Sequence, residues 1–86
     1  MILHLYAFKD LVVGNFTKYF VARGDEDASR IARVSLEGFP FLSDLDLYCL
    51  AKLDEDTGLV TSGSPLYVCH VVDLFNRKET EVDVEE

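Results

Sequence analysis

The sequence has little cysteine and no long apolar run. Its two cysteines, Cys49 and Cys69, lie in apolar stretches without the CxxC spacing of a metal knuckle. We therefore expect buried free thiols in a reducing cytosol, with a disulfide as the alternative. No apolar run approaches the roughly 18–20 residues that a membrane span needs, and residues 1–6 lack the features of a signal peptide. The sequence predicts a soluble protein.

Basic residues are also scarce. Lys and Arg total 8 against 16 Asp and Glu, which gives the 86-residue chain a formal net charge of -8. With 49% hydrophobic and 28% charged residues, the chain has enough apolar content to fold, and its length leaves room for one domain. A domain this small buries only roughly 60–65% of its unfolded surface. We expect marginal stability unless it dimerises or binds a partner.

Motifs for catalysis or metal binding are missing. Cys69 and His70 are neighbours in a predicted strand and point to opposite faces, so together with Cys49 and His4 they do not predict a zinc site. The acidic segment 54–58 is too short for a calcium loop, and no serine lies on a nucleophile elbow. We expect no catalytic residue, no metal, no cofactor and no enzymatic activity.

Four stretches have the composition of strands. Residues 2–8 and 16–22 form a predicted hairpin around Gly14 and Asn15, and residues 45–53 and 66–75 supply strands three and four. Residues 59–61 have the composition of a further short strand. The alternation in strand three places one set of side chains on a single face: Leu45, Leu47, Cys49, Ala51 and Leu53.

One stretch has a helical period. The acidic residues 25–27 suit the positive end of a helix dipole and offer a capping side chain. The helix ends near Glu37, because Gly38 suits a left-handed C-terminal residue. Its apolar stripe is Ala28, Ile31, Ala32, Ser35 and Leu36.

These elements predict a single α+β domain over residues 1–75. Its order is β-β-α-β-β, with a mostly antiparallel four-stranded sheet and one helix packed on one face. Residues 76–86, with two basic and five acidic residues, are predicted to form a mobile acidic tail.

A single helix leaves the other face of the sheet without cover. We place Ile2, Tyr6, Phe8 and Tyr48 on that face. Because exposed apolar surface favours association, the sequence predicts a homodimer.

An apolar loop follows the predicted helix. Phe39, Phe41 and Leu42 lie where loops normally meet water. The loop either folds back over the core or binds a partner.

Half of the basic residues lie between strand two and the helix. They are Lys18, Arg23, Arg30 and Arg33, with Tyr19 among them. Cations mixed with aromatic rings suit single-stranded DNA. The carboxylates at residues 25–27 and the acidic chain oppose that function, and the alternative is a solvated helix face beside core aromatics.

Several short motifs, in order along the chain, resemble those of one virus family. They are ILHLYAFKD over residues 2–10, Asp25-x-x-Ala28-Ser29-Arg30, residues 44–50, Asp54-x-Asp56-Thr57-Gly58 and Pro65. The chain resembles the small nonstructural proteins of gokushovirus-type microviruses, which are single-stranded DNA phages. Members are often labelled DNA-binding. The resemblance implies a place in the cytoplasm of an infected bacterium and supplies no catalytic residue.

Two functional hypotheses follow. In the first, this is a nonstructural protein that acts in viral DNA replication or packaging by binding a phage or host protein. In the second, it is a weak, sequence-independent binder of single-stranded DNA.

Overall fold

The computed structural model describes residues 1–76. Its elements are β1 (Ile2–Asp10), β2 (Phe16–Ala22), α1 (Asp25–Ser35), a 3-10 helix (Leu42–Asp44), β3 (Leu45–Asp54) and β4 (Val60–His70). Residues 71–76 are also helical. The described strands form one antiparallel sheet in the order β2-β1-β3-β4, which confirms a small antiparallel four-stranded sheet in an α+β fold.

Both hairpins close on an aspartate. Asp10 Oδ1 accepts hydrogen bonds from the N–H groups of Val12 and Val13, at 2.9 and 3.1 Å. Gly14 then takes a φ of 90°, and its N–H donates to the Asp10 carbonyl at 2.6 Å. In the β3–β4 turn, Gly58 at a φ of 78° donates to the Asp54 carbonyl at 2.7 Å. Glycine suits both positions because side chains disfavour positive φ.

The buried core lies on one side of the sheet, which we call the core face. Tyr6, Phe8 and Leu47 are 0–1% exposed. They form one cluster with residues of α1 and of the helical segment 71–76, and Phe20 packs against it. The Phe20 ring centroid lies 5.6 Å from the ring centroids of both Tyr6 and Phe8. The helical members of the cluster are Ala28, Ala32, Leu36, Val71 and Leu74.

The opposite side of the sheet, the open face, differs from the prediction. Tyr48 pairs with Ala7, so it lies opposite the core face as predicted. Tyr6 and Phe8 were predicted beside it and instead belong to the core. Ile2, 47% exposed, shares their side of β1 by alternation. Both sets of alternating side chains in β1 are largely apolar, so the alternation could not show which set faces the core.

The predicted single face of strand three is also wrong. Leu5 pairs with Ala51 while Tyr6 pairs with Cys49, so Leu50 is an extra residue in β3. This bulge moves Ala51 and Leu53 to the open face. Leu50 is itself apolar, so the hydrophobic pattern gave no sign that the phase changes there.

Strand four begins and ends earlier than predicted. β4 covers Val60–His70 without a break, and residues 63–65 are accommodated by a register shift opposite Leu50. Because β4 is an edge strand, it tolerates Pro65, which lacks an N–H group. Residues 71–75 are helical rather than extended: Val71 and Leu74 have helical spacing and are 0% and 3% exposed.

The helix α1 is confirmed in place and ends at Ser35, two residues before the predicted end. Gly38 has the predicted positive φ, at 83°. The helix start differs, because Gly24 is the N-cap and no side chain caps it. Ser35, predicted in the apolar stripe, is exposed.

The predicted C-terminal boundary of the domain, at residue 75, lies at the edge of the described residues. Asn76, predicted to open the acidic tail, is helical, and the rest of that tail lies outside the described residues. The division at residue 75 stays a prediction. No helix among residues 1–76 is long and apolar enough to cross a membrane.

The core assignment of Phe8 can be tested by replacing it with alanine. Phe8→Ala should lower the free energy of unfolding by about 3–5 kcal/mol, because it leaves a cavity in a packed core. Val12→Ala, at a site 75% exposed, should change it by less than about 0.5 kcal/mol. Urea unfolding followed by circular dichroism measures both. Similar losses in the two variants would place Phe8 outside the core.

Candidate functional site

Three of the predicted DNA-binding residues line a common cleft. Arg23, Arg30 and Arg33 border an open cavity of about 450 Å³, which we call the arginine cleft. Arg23 follows β2, and the other two arginines lie three residues apart on α1, so they share one helix face. The cleft's remaining lining residues are Glu26, Asp27, Ser29 and Leu74.

The other two predicted DNA-binding residues do not line this cleft. Lys18 and Tyr19 lie in β2 at a bulge, because Tyr6 pairs with Phe20 while Phe8 pairs with Thr17. Lys18 takes a φ of 55° there. Both side chains are exposed. The predicted basic patch is therefore divided between the cleft and the middle of an edge strand.

Asp27 controls the charge of the cleft. Its Oδ1 accepts a hydrogen bond from Arg30 Nη2 at 2.8 Å, and its Oδ2 accepts one from the Arg23 N–H at 3.1 Å. The Arg23 N–H bond, together with the Arg30 guanidinium, lowers the pKa of the Asp27 carboxyl. With Glu26 also in the lining, three cations face two carboxylates. The cleft has a formal charge of +1, far less than its arginines suggest.

The predicted partner-binding loop both covers the core and faces solvent. Phe39 and Leu42 are half-buried against the core cluster. Phe41 is 58% exposed, and its ring centroid lies 5.9 Å from that of Phe39 in an edge-to-face contact. Of the three predicted residues, Phe41 therefore presents the most surface to a partner.

Sequence reasoning missed the apolar residues beside this loop. Leu11, Val12 and Val13 are 47%, 75% and 65% exposed in the β1–β2 turn. The Leu11 N–H donates to the Asp44 carbonyl at 2.8 Å, and the Asp44 N–H donates to the Phe41 carbonyl at 3.0 Å. These bonds bring the turn and the loop together. We call Leu11, Val12, Val13 and Phe41 the apolar end. The signal in the sequence was an apolar triplet directly before a Gly-Asn turn.

Aromatic rings cross the open face. The Tyr48 ring centroid lies 5.4 Å from that of Phe16 and 5.8 Å from that of Tyr67, with both pairs edge to face. Lys9 Nζ lies 5.9 Å from the centroid of the Phe16 ring. These three aromatic rings connect β2, β3 and β4 across the sheet.

A small cluster of polar side chains lies between the sheet and the start of α1. The Tyr6 hydroxyl donates to Asp25 Oδ1 at 2.8 Å, and Cys49 Sγ lies 3.9 Å from His4 Nδ1. Burial, reinforced by the Asp25 carboxylate, raises the pKa of the Cys49 thiol. The thiol is therefore protonated at neutral pH and is a poor nucleophile.

Metal-binding chemistry has no assembled ligand set in residues 1–76. In that part of the chain, no three His, Cys, Asp or Glu side chains are grouped to hold a metal ion. His70 Nδ1 and Asp46 Oδ1 form one such pair, at 2.7 Å on the open face. This pair joins β4 to β3 at the end of the sheet where both side chains are partly buried.

The bonds to Asp27 predict part of the acid sensitivity of the fold. Its pKa is lower in the folded protein than in the unfolded chain, where it is about 3.9. The stability that it contributes is therefore present above pH 3.9 and lost as pH falls through the folded pKa. Asp27→Asn should lose less stability than the wild type between about pH 5 and pH 2. Urea unfolding across that range tests it, with the exposed Glu37→Gln as the charge-matched control. Equal pH slopes in D27N and the wild type would contradict the assignment.

The comparisons with known proteins identify a family. A family model described as Phage ORF5 protein matches residues 3–74, from β1 into the helical segment 71–76. Searches of the curated proteins and of the solved structures return no significant match. The family match includes β1 from Leu3 onward, the other three strands, α1 and the residues of both candidate surfaces. Because it spans well over half of the 86 residues, the chain belongs to the Phage ORF5 protein family.

Proposed function

We propose that this phage protein is nonstructural and non-enzymatic, and that it acts in viral DNA replication or packaging by binding another protein through its apolar end. The observation that carries the proposal is the exposure of four apolar side chains on two loops that hydrogen bonds hold together. Small proteins rarely expose contiguous apolar groups without a binding role.

The apolar end is prepared for binding. The two bonds to Asp10 Oδ1 fix the β1–β2 turn, and the Leu11 bond to the Asp44 carbonyl fixes the turn against the loop. Rigid loops lose less conformational entropy on association than mobile ones. The contact between Phe39 and Phe41 further limits the motion of the exposed ring.

Family membership and net charge favour a phage or host protein as the partner. A Phage ORF5 protein acts in a phage context, and the resemblance to gokushovirus-type nonstructural proteins favours a single-stranded DNA phage in the cytoplasm of its host. The chain carries a formal charge of -8, so a phage or host replication or packaging protein with a basic rim fits it.

The proposal also places α1 against the core face of the sheet. The small side chains of Ala28 and Ala32 are fully buried, and Leu36 is 3% exposed in the same cluster as Tyr6 and Phe8. With the helix on that side, the apolar end and the open face stay accessible to partners.

A double variant tests the apolar end. Val12→Ser with Phe41→Ser should reduce recovery of a replication or packaging protein from infected cells at least about 10-fold, because both changes remove exposed apolar contacts. Affinity purification of the tagged full-length chain, with mass spectrometry to identify what is bound, makes the measurement. The fold should be unaffected, since both positions are exposed.

The matched control is Val34→Ser. Val34 is 69% exposed on α1, outside the apolar end, so its replacement should leave recovery unchanged. Loss of recovery in both variants would show a general effect of surface polarity. Unchanged recovery in the double variant would exclude the apolar end as the interface.

A second candidate function is weak binding of single-stranded DNA at the arginine cleft. What favours it is the gathering of three guanidinium groups around one cavity. What limits it is Asp27, which pairs with Arg30, and the charge of -8 on the whole chain. Phosphate contacts this few give affinity that falls with salt.

Charge variants separate this candidate from the first. Arg33→Glu should weaken binding of a labelled oligonucleotide at low salt at least about 5-fold, and Asp27→Asn should strengthen it by releasing Arg30. Lys52→Glu makes the same charge change at an exposed residue of β3, outside the cleft, and should have a smaller effect. Fluorescence anisotropy measures all three. Equal effects of R33E and K52E would remove the cleft as a DNA site.

A further inference from the structure

The strand register divides the open face into four rows. The first row runs Phe16, Lys9, Asp46 and His70 from β2 to β4, and the last joins Leu3 to Leu53 and Val60. Between them lie a row with Ala7, Tyr48 and Tyr67, and a row with Val21, Leu5, Ala51 and Ser62. Apart from the first row and one serine, every paired position on this face is apolar or aromatic.

This face has a charge balance unlike that of the chain. Among the strand-paired positions of the open face, Lys9 and Asp46 carry opposite charges and lie directly across from each other. With histidine counted as neutral, the formal charge of the paired positions is therefore zero, in a chain whose formal charge on the same basis is -8. Within residues 1–76, the other acidic residues lie at strand ends, in turns, at the start of α1, in the 3-10 helix and in the helical segment 71–76.

Parts of the open face remain uncovered in one copy of the chain. Tyr67 and Val60 are each 58% exposed, and Val21 is 41% exposed. The buried cluster with the α1 residues is on the opposite side of the sheet. An apolar sheet face of this kind is usually buried against a second layer.

We propose that the open face binds the open face of a second copy of this chain. In a two-fold contact the same surface of both copies meets, so Lys9 of each copy can pair with Asp46 Oδ2 of the other, while Asp46 Oδ1 keeps its contact with His70. The two neutral faces then meet while the acidic regions stay at the outside. A nucleic acid would favour an excess of positive charge, which the paired positions do not provide.

The size of the face predicts a weak dimer. Strand spacing and rise give a flat area of about 400 Å² for four strands over residues 3–9 of β1. Because side chains project from the sheet and add surface, two copies bury roughly 1,000 Å² in total, which is at the lower limit for a specific interface. We expect a dissociation constant of about 10–100 µM.

The dimer is independent of the proposed function. The open face is a different surface from the apolar end, so each copy keeps Val12 and Phe41 available for a partner. A dimer would present two apolar ends, which raises avidity for a partner with two sites. Failure of either proposal leaves the other intact.

Sedimentation equilibrium of the full chain from 1 to 500 µM tests the dimer. The wild type should approach twice the 9.7 kDa chain mass at the upper end. Tyr67→Asp should weaken the association at least 10-fold, and Val34→Asp, which puts the same charge at a site 69% exposed on α1, should change it less than 2-fold.

A charge swap tests the facing arrangement. Lys9→Asp and Asp46→Lys should each weaken the dimer at least 5-fold, and the double swap should restore most of the loss. Circular dichroism confirms that each variant is folded. The proposal is overturned by a monomer at 500 µM, by equal effects of Y67D and V34D, by a dimer that V12S with F41S dissociates while Y67D does not, or by a monomer that binds an oligonucleotide through Tyr67.

Discussion

Strand β1 lies in the middle of the sheet and positions the other elements. It pairs with β2 on one side and β3 on the other, so its alternate residues define both faces of the sheet. Tyr6 and Phe8 enter the core, and Ala7 between them is 0% exposed on the open face. The bulges in β2 and β3 then set how the neighbouring strands follow β1. The core, the open face and the apolar end all follow from this arrangement.

The sequence predicts well the elements that have one clear period. β2 has the predicted bounds, and α1 lies where its apolar spacing predicts it and ends shortly before Gly38, although no side chain caps its start. The bulge at Leu50 could not be predicted, since an apolar residue there suits either phase. The end of β4 was missed because β-branched residues hid a helical spacing that begins at Val71.

The candidate surfaces were only partly predictable, since each depends on contacts between segments distant in sequence. Clustering along the chain found Arg23, Arg30 and Arg33, but the bonds that tie Asp27 to this cleft appear only in three dimensions. Phe41 was predicted as a contact residue. Its neighbours Leu11, Val12 and Val13 were not, because a hydrogen bond to Asp44 joins the two segments.

The proposed role of the apolar end is to bind a protein of viral DNA replication or packaging. The most direct measurement is photo-crosslinking in infected cells with a photoreactive phenylalanine analogue at position 41 and, as control, at the exposed position 34 of α1. Position 41 should crosslink such a protein, identified by mass spectrometry, and position 34 should not. Equal crosslinking from both positions, or crosslinks from position 41 to nucleic acid alone, would contradict it.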